Sequence, residues 1–251
     1  MTAVLSIAFL GGLATGSFVT VVAHRVPRGD SVIAPRSRCP GCGAQIAAYD
    51  NVPVVSWLLL RGQARCCGAP ISSRYPLAEL SLAVLYAATV LVLWGDPGEV
   101  ALGLVFVTML VAITLTDLER RLIPNKILAV AAVLGVAIAI ATDPAGLPER
   151  AAAAAGAGGL LFAAALAYPR GMGLGDVKLA AVMGLFLGRN VAPAILVALL
   201  AGSLAGLAVI ARHGAAGRKR AIPFGPFLAL GGVVGLLAGD QLVDWYLRSF
   251  S

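Results

Sequence analysis

Apolar and polar stretches alternate along this chain in a long, regular rhythm. Apolar runs fall near residues 2–23, 77–94, 98–116, 126–142, 151–168, 175–188, 191–211 and 222–247, separated by polar links that are mostly short. Each run approaches the roughly 20 residues that a bilayer asks of a spanning segment. Lipid offers no partner for a backbone N–H, so every run predicts an α-helix. The sixth run is the weakest, because it is short and opens with Asp176 and Lys178. Only Gly188-Arg189-Asn190 divides it from the seventh, which leaves a re-entrant pair open at that point. The pattern predicts an all-α polytopic membrane protein with about eight transmembrane helices. One polar segment is long enough to be a module of its own. The expected organisation is therefore 1–23 as the first transmembrane helix, 24–76 as a small Cys-rich loop domain, and 77–251 as a seven-helix membrane domain.

Composition strengthens that reading. Of 251 residues, 59% are apolar and 12% are charged, against roughly 25% charged in soluble domains. The mean hydropathy is +0.91. A water-soluble chain of this size could not hide so much apolar surface, and disorder or a collagen-like fibre is excluded. The net charge of +7 would suggest nucleic acid in a soluble protein. In a membrane protein the position of each charge matters more, and no nucleic-acid partner is expected. Segments 24–76, 117–126, 169–178 and 212–220 carry all of the Lys and Arg except Arg150, Arg189 and Arg248. The other side holds Asp96, Glu99, Asp143, Glu149, Asp240 and Asp244. The first apolar run has no basic residues before it; Arg25 and Arg28 follow it, unlike a signal peptide. The positive-inside rule then predicts eight helices in the plasma membrane with both termini outside. The basic clusters, Arg218-Lys219-Arg220 among them, are read as topology signals that touch anionic lipid. Trp57 and Trp94 are read as interface anchors.

Acids on membrane helices are functional by default. Two stand out from those in loops. Asp117 ends the third run and Asp176 opens the sixth, and in the predicted topology both reach the cytoplasmic interface. Two carboxylates held close together titrate as a pair. Aspartic proteolysis needs that arrangement: one carboxylate takes a proton from water while the protonated partner polarises the scissile carbonyl. Glycines 171, 173 and 175 before Asp176 would let an extended substrate backbone approach closely. Simple pairing of both acids with Arg120, Arg121 or Lys178 is the structural alternative.

The sequence Gly171-Met-Gly-Leu-Gly-Asp176, with a second Asp on an earlier helix, resembles the GxGD membrane aspartyl peptidases. Within them the chain is similar to the bacterial type IV prepilin peptidases. Matching stretches include Gly16-Ser-Phe18, Arg38-Cys-Pro-Gly-Cys-Gly43, Tyr49 to Leu58, Ile71 to Leu80, Asp117 with Ile123-Pro124, Gly171 to Leu179, and Ile222-Pro-Phe-Gly-Pro-Phe227. The resemblance implies cleavage of a short basic leader from prepilins or pilin-like proteins, just after a glycine at the cytoplasmic face. It also implies N-methylation of the new N-terminal residue with S-adenosylmethionine. Asp117 and Asp176 would be the catalytic pair, with Gly173, Gly175 and Lys178 as candidates for substrate binding. Glu119, Asp50 and Glu79 are acidic candidates for meeting a basic leader.

All four cysteines, Cys39, Cys42, Cys66 and Cys67, lie in segment 24–76. In a reducing compartment such clustering favours a metal over disulfides. Cys39-Pro-Gly-Cys42 reads as half of a zinc knuckle. In the second half, aligned on Cys67-Gly68-Ala-Pro-Ile, the family's third cysteine falls on Ala64. Neighbouring cysteines point apart in an extended chain, so Cys39, Cys42 and Cys67 form the safer ligand set. Cys66 is a displaced fourth, expected to matter less than Cys67. Thr20 is a second departure, standing where the family pattern commonly has Asn. An ion- or proton-coupled transporter is the alternative from another class, with Asp117 and Asp176 as its relay.

The charge pattern makes a testable statement about topology. Reporter fusions at Pro97, Pro144 and Ser251 should report the outer side, and fusions at Gly43 and Gly217 the cytoplasm. A cytoplasmic C-terminus would rule out the eight-helix arrangement.

Overall fold

Each predicted run is helical in the computed structural model, which describes residues 1–34, 37–39, 41–168, 171–214 and 222–249. The helices are α1 (Thr2–Arg25), α2 (Val55–Leu59), α3 (Arg74–Val92), α4 (Pro97–Arg120), α5 (Asn125–Thr142), α6 (Leu147–Ala167), α7 (Leu174–Leu187), α8 (Val191–His213) and α9 (Gly225–Arg248). Among the described residues β pairing is limited to two isolated bridges, both in the polar loop. The basic triplet Arg218-Lys219-Arg220 lies outside the described residues.

Local chemistry explains where the helices start and stop. The Asp96 carboxylate accepts the amides of Gly98 and Glu99 at 2.9 and 3.0 Å, and Pro97 opens α4. Both features suit the first turn, where amides lack intrahelical partners. The helix ends at Arg121, which adopts a left-handed conformation with φ of 52°. Pro124 then precedes α5, and Pro226 stands in the first turn of α9.

Among the described residues, seven segments are long and apolar enough to cross a membrane, and one of them is the 40-residue stretch Leu174–His213. As one helix that stretch would measure about 60 Å at 1.5 Å per residue, twice the hydrocarbon thickness. It is instead two helices. Gly188 takes φ of 53° and ψ of −135°, which breaks α7, and a short turn, Gly188–Asn190, leads into α8. Packing against α9 gives the directions. Met183 and Leu187 of α7 lie beside Gly232 and Gly235 respectively, so α7 runs with α9. Along α8, Asn190 lies beside Gly239, Ala194 beside Gly231, and Gly202 beside Phe224, so α8 runs against α9. The chain reverses at Gly188, so this stretch supplies two of the eight predicted helices. With 14 residues, α7 is only about 21 Å long, short of the usual spanning length.

The described chain forms two compact units, Met1–Leu91 and Val92–Ser251. In the first, α1 and α3 cross at very short range, since a Cβ on Gly12 would lie 2.5 Å from the Ala83 Cα. The polar segment of this unit is built around side chains that the sequence places far apart. Trp57 donates its indole N–H to the Ile71 carbonyl at 2.9 Å, so it is turned into the loop module rather than serving as an interface anchor. Arg65 donates to Asp50 through both Nε and Nη2, at 3.0 and 2.9 Å. Asp50 is therefore engaged inside the module.

In the second unit the core is assembled from Phe106, Leu110, Ile113, Leu179, Met183 and Leu228, all under 2% exposed. Phe106 and Phe186 stack at 5.2 Å between ring centres. The Ala/Gly run at the start of α6 lets α7 come close, for a Cβ on Gly184 would meet the Ala153 backbone at 2.6 Å. One end of this unit gathers opposite charges. Arg150, 8% exposed, donates to the Phe186 carbonyl at 2.7 Å and pairs with Glu99, so it joins α4, α6 and α7. Arg189 pairs with Asp240, and Glu149 accepts the Arg189 amide. The other end of the same helices carries Asp117 and Asp176.

Candidate active site and cysteine cluster

Asp117 occupies the last turn of α4 and is 6% exposed. A carboxylate there faces the negative end of its own helix dipole. The fold compensates from a different helix. Gly225, the first residue of α9, donates its backbone N–H to Asp117 Oδ2 at 2.9 Å. An N-terminal amide of this kind has no partner within its own helix, and it presents the positive end of the α9 dipole to the acid. A Cβ on Gly225 would stand 2.8 Å from Asp117 Oδ2, so glycine is what permits the approach.

Asp176 sits at the opposite kind of helix end. It lies in the first turn of α7, where its Oδ2 accepts the Gly173 amide at 3.3 Å as a capping contact. The Asp117 charge acts on Asp176, while Asp117 itself is met by the Gly225 amide and the Arg121 charge. Among the described residues neither forms an ion pair within 4.0 Å. Of the bases that could pair with them, Arg121 acts on Asp117 through its charge without a close ion pair.

The other predicted residues lie around this pair. Gly175 packs on Ile123, since a Cβ there would come within 3.0 Å of the Ile123 Cβ. Lys178 Nζ donates to Asn125 Oδ1 at 3.1 Å. Both contacts tie the start of α7 to the link between α4 and α5, the end of the bundle at which α4 carries Asp117. Glu119 is exposed, whereas Glu79 belongs to the first unit and is buried. Asn125 and Gly225 are roles that spacing alone did not reveal. The signal for Gly225 was present in Phe224-Gly225-Pro226, a glycine followed by a helix-opening proline.

The cysteine module shows why four sulfurs meet although one falls outside the knuckle register. Its two halves repeat one turn. The Cys39 amide donates to the Ala44 carbonyl at 2.8 Å and the Gly43 amide to the Cys39 carbonyl at 2.8 Å. In the second half, the Ala64 amide donates to the Ala69 carbonyl at 2.8 Å and the Gly68 amide to the Ala64 carbonyl at 2.7 Å. Bridges Arg38–Gln45 and Gln63–Pro70 close the two turns. Ala64 thus stands in the place of Cys39, and Cys66 in the place of Gly41. That place faces the cluster, because a Cβ on Gly41 would lie 3.3 Å from Cys67 Sγ. Cys66 supplies from there the sulfur that Ala64 cannot. The turn that an extended chain would lack is present.

All four Sγ atoms lie within 4.8 Å of one another. Cys39–Cys67 is 3.5 Å, Cys42–Cys66 is 3.3 Å and Cys66–Cys67 is 3.9 Å. Thiolates about 2.3 Å from a tetrahedral zinc would be roughly 3.8 Å apart, so the set fits that ion with small adjustments. The amides of Cys42 and Gly41 point at the Cys39 sulfur and lower its pKa to about 6. In the thiol form, hydrogen bonding to Cys42 pushes Cys66 up to about 12.

An all-helical membrane protein that carries two acids at one end of its helix bundle has the parts of an intramembrane aspartyl enzyme. Comparison with known proteins agrees. Residues 10–93 match the family model described as the bacterial peptidase A24 N-terminal domain, and residues 104–211 match the type IV leader peptidase family. A prepilin leader peptidase/N-methyltransferase of Aeromonas hydrophila is 34% identical, covering 98% of this chain and 94% of the relative. One from Bacillus subtilis (strain 168) is 36% identical, covering 97% and 98%. Another, from Myxococcus xanthus (strain DK1622), is 37% identical over 84% of this chain and 64% of its own length. No solved structure matches the chain. The chain belongs to the type IV leader peptidase family.

Proposed function

We infer that the chain cleaves the leader from type IV prepilins or pilin-like proteins and N-methylates the residue that cleavage exposes. Its family and near-full-length relatives support both activities. They give no support to a transporter. The observation that supports the peptidase reading is the placement of Asp117 in the last turn of α4 and Asp176 in the first turn of α7, at one end of the helix bundle.

The chemistry follows from two carboxyl groups sharing one proton. The ionised group takes a proton from the attacking water, and the protonated group donates a hydrogen bond to the scissile carbonyl. Water oxygen bonds to the carbonyl carbon, the peptide C–N bond breaks, and the leaving amine receives a proton. No covalent enzyme intermediate is required. The Gly225 amide fixes one oxygen of Asp117, so that the other is available for water. Gly173 and Gly175 keep the approach to Asp176 narrow in bulk, and Lys178 braces the α7 terminus through Asn125.

The remaining assignments extend this reading. The peptidase site faces the cytoplasm, as the basic links predict, and both termini lie outside. The arginines of 24–76 meet anionic lipid headgroups. S-adenosylmethionine is the methyl donor. Cys39, Cys42, Cys66 and Cys67 hold one structural zinc, whose role is to close the loop module on a single point. Residues 24–76 are the part of the chain associated with methylation, and 77–251 the membrane peptidase part.

Two sets of variants test these assignments. Asp117→Asn and Asp176→Asn should each lower prepilin cleavage by at least about 100-fold, the scale of losing a general acid or base, while membrane insertion is unchanged. Near-normal cleavage in either variant would remove that residue from the pair. Metal analysis should find one zinc per chain. Cys66→Ser should release it as fully as Cys67→Ser, because both sulfurs close the same cluster. Retention of zinc in Cys66→Ser alone would reduce the ligand set to three.

A further inference from the structure

One acid stands apart from the aspartate pair and is too buried to meet a leader at the surface, as the sequence had suggested it would. Glu79, on the second turn of α3, is 7% exposed. Its Oε2 accepts the Val54 amide at 2.7 Å. Ser17 of α1 lies beside the same carboxyl group. Gly16 permits this crossing, because a Cβ there would lie 2.6 Å from the Glu79 Cα. Three segments distant in sequence therefore converge on one carboxylate.

The backbone that meets Glu79 is strained. Val54 has φ of 60° and ψ of −49°, and the Val55 amide reaches back to the Pro53 carbonyl at 2.6 Å. This is the rare γ-turn with positive φ. A β-branched residue holds such a conformation only where its surroundings enforce it, and strain of this kind gathers at functional sites. Here the turn aims an amide at the acid.

The carboxylate is not fully used. Two oxygens can accept about four hydrogen bonds, and the Val54 amide supplies one. Among the described residues no Lys, Arg or His forms an ion pair with Glu79. A carboxylate withdrawn from water without a countercharge favours a cation as its missing partner. The reaction proposed above produces one. Cleavage exposes an α-amine, which is largely an ammonium near neutral pH, and methylation requires its lone pair.

We propose that Glu79, assisted by Ser17, receives the new N-terminal amine of the cleaved product and prepares it for methylation. The proposal rests on the two-activity reading. The ammonium pairs with the Glu79 carboxylate and gives it a proton, so an N–H bond breaks and an O–H bond forms. The neutral amine then attacks the methyl carbon of the sulfonium donor. The N–C bond forms, the C–S bond breaks, and its electron pair stays on sulfur as a thioether. The methylated product leaves as a secondary ammonium, and Glu79 returns its proton to water.

Glu79→Gln is the discriminating variant. Its side-chain carbonyl can still accept the Val54 amide, but the charge is gone. The full-length protein, purified in detergent, would be given a prepilin peptide and S-adenosylmethionine. Cleavage and zinc content should match wild type, while methylation of the product falls at least about 100-fold. A binding measurement without donor gives a second readout. Wild type should bind the mature peptide with a free amine at least about 10-fold more tightly than its N-acetylated form, and Glu79→Gln should bind both alike. Wild-type methylation by Glu79→Gln, or no amine preference in the wild type, would overturn the proposal. Loss of cleavage or zinc in the variant would also overturn it and assign Glu79 to the scaffold. Failure of wild type to methylate at all would instead strike the two-activity reading.

Discussion

The hydrogen bond from the Gly225 amide to Asp117 is the interaction on which the membrane unit turns. A carboxylate in the last turn of a membrane helix faces the wrong end of that helix's dipole and has little water to compensate. The chain answers with the first amide of α9, brought within 2.9 Å. That contact requires a glycine at 225, a helix that begins there, and an α9 that runs alongside α4 and α7. The small residues of α8 and α9 and the reversal at Gly188 place α9 where it must be. Asp176 needs no such help, because it stands at the favourable end of α7 and its own helix start receives it. The site is thus made from one acid at a compatible helix end and one at an incompatible end, the second rescued by a neighbouring helix.

The far end of the same bundle is held differently. Arg150 bonds the α7 carbonyl of Phe186 and pairs with Glu99 of α4, so the two helices that carry the aspartates are also linked at their other ends. Long apolar helices slide readily when only dispersion holds them, and a buried guanidinium with defined partners sets their axial register. The cysteine module faces an analogous problem in a small space. A segment with too few apolar residues for a core gathers its parts on four sulfurs, on Trp57, and on the Asp50–Arg65 pair.

Much of this was legible in the sequence, for physical reasons. Apolar runs report helices because lipid permits little else, and the eight runs correspond to eight long helices. The weak sixth run was correctly suspect, being 14 residues long, but only packing against α9 reveals that the chain reverses after it. Asp117 and Asp176 were visible because charge on a membrane helix is costly and demands a reason. The partner of Asp117 was not, since Phe224-Gly225-Pro226 marks a helix start but not which acid its amide will meet. Cys66 looked out of register because register assumes an extended strand. The repeated turn at Cys39–Ala44 and Ala64–Ala69 places residue 66 facing the cluster, a fact of backbone geometry that spacing does not carry. Trp57 was read as an interface anchor because tryptophan favours that depth, yet a carbonyl inside its own module claims its indole N–H.

The central claim is that catalysis depends on α9 delivering an amide to Asp117. Gly225→Ala tests it most directly, because the added methyl must push the α9 terminus and Asp117 Oδ2 apart from a separation of 2.8 Å. The measurement is kcat and KM for prepilin cleavage by the purified variant, alongside its thermal unfolding. The account predicts that kcat falls by at least about 10-fold, the scale of one charge-assisted hydrogen bond, with KM and unfolding temperature close to wild type. An unchanged kcat in a normally folded variant would contradict it.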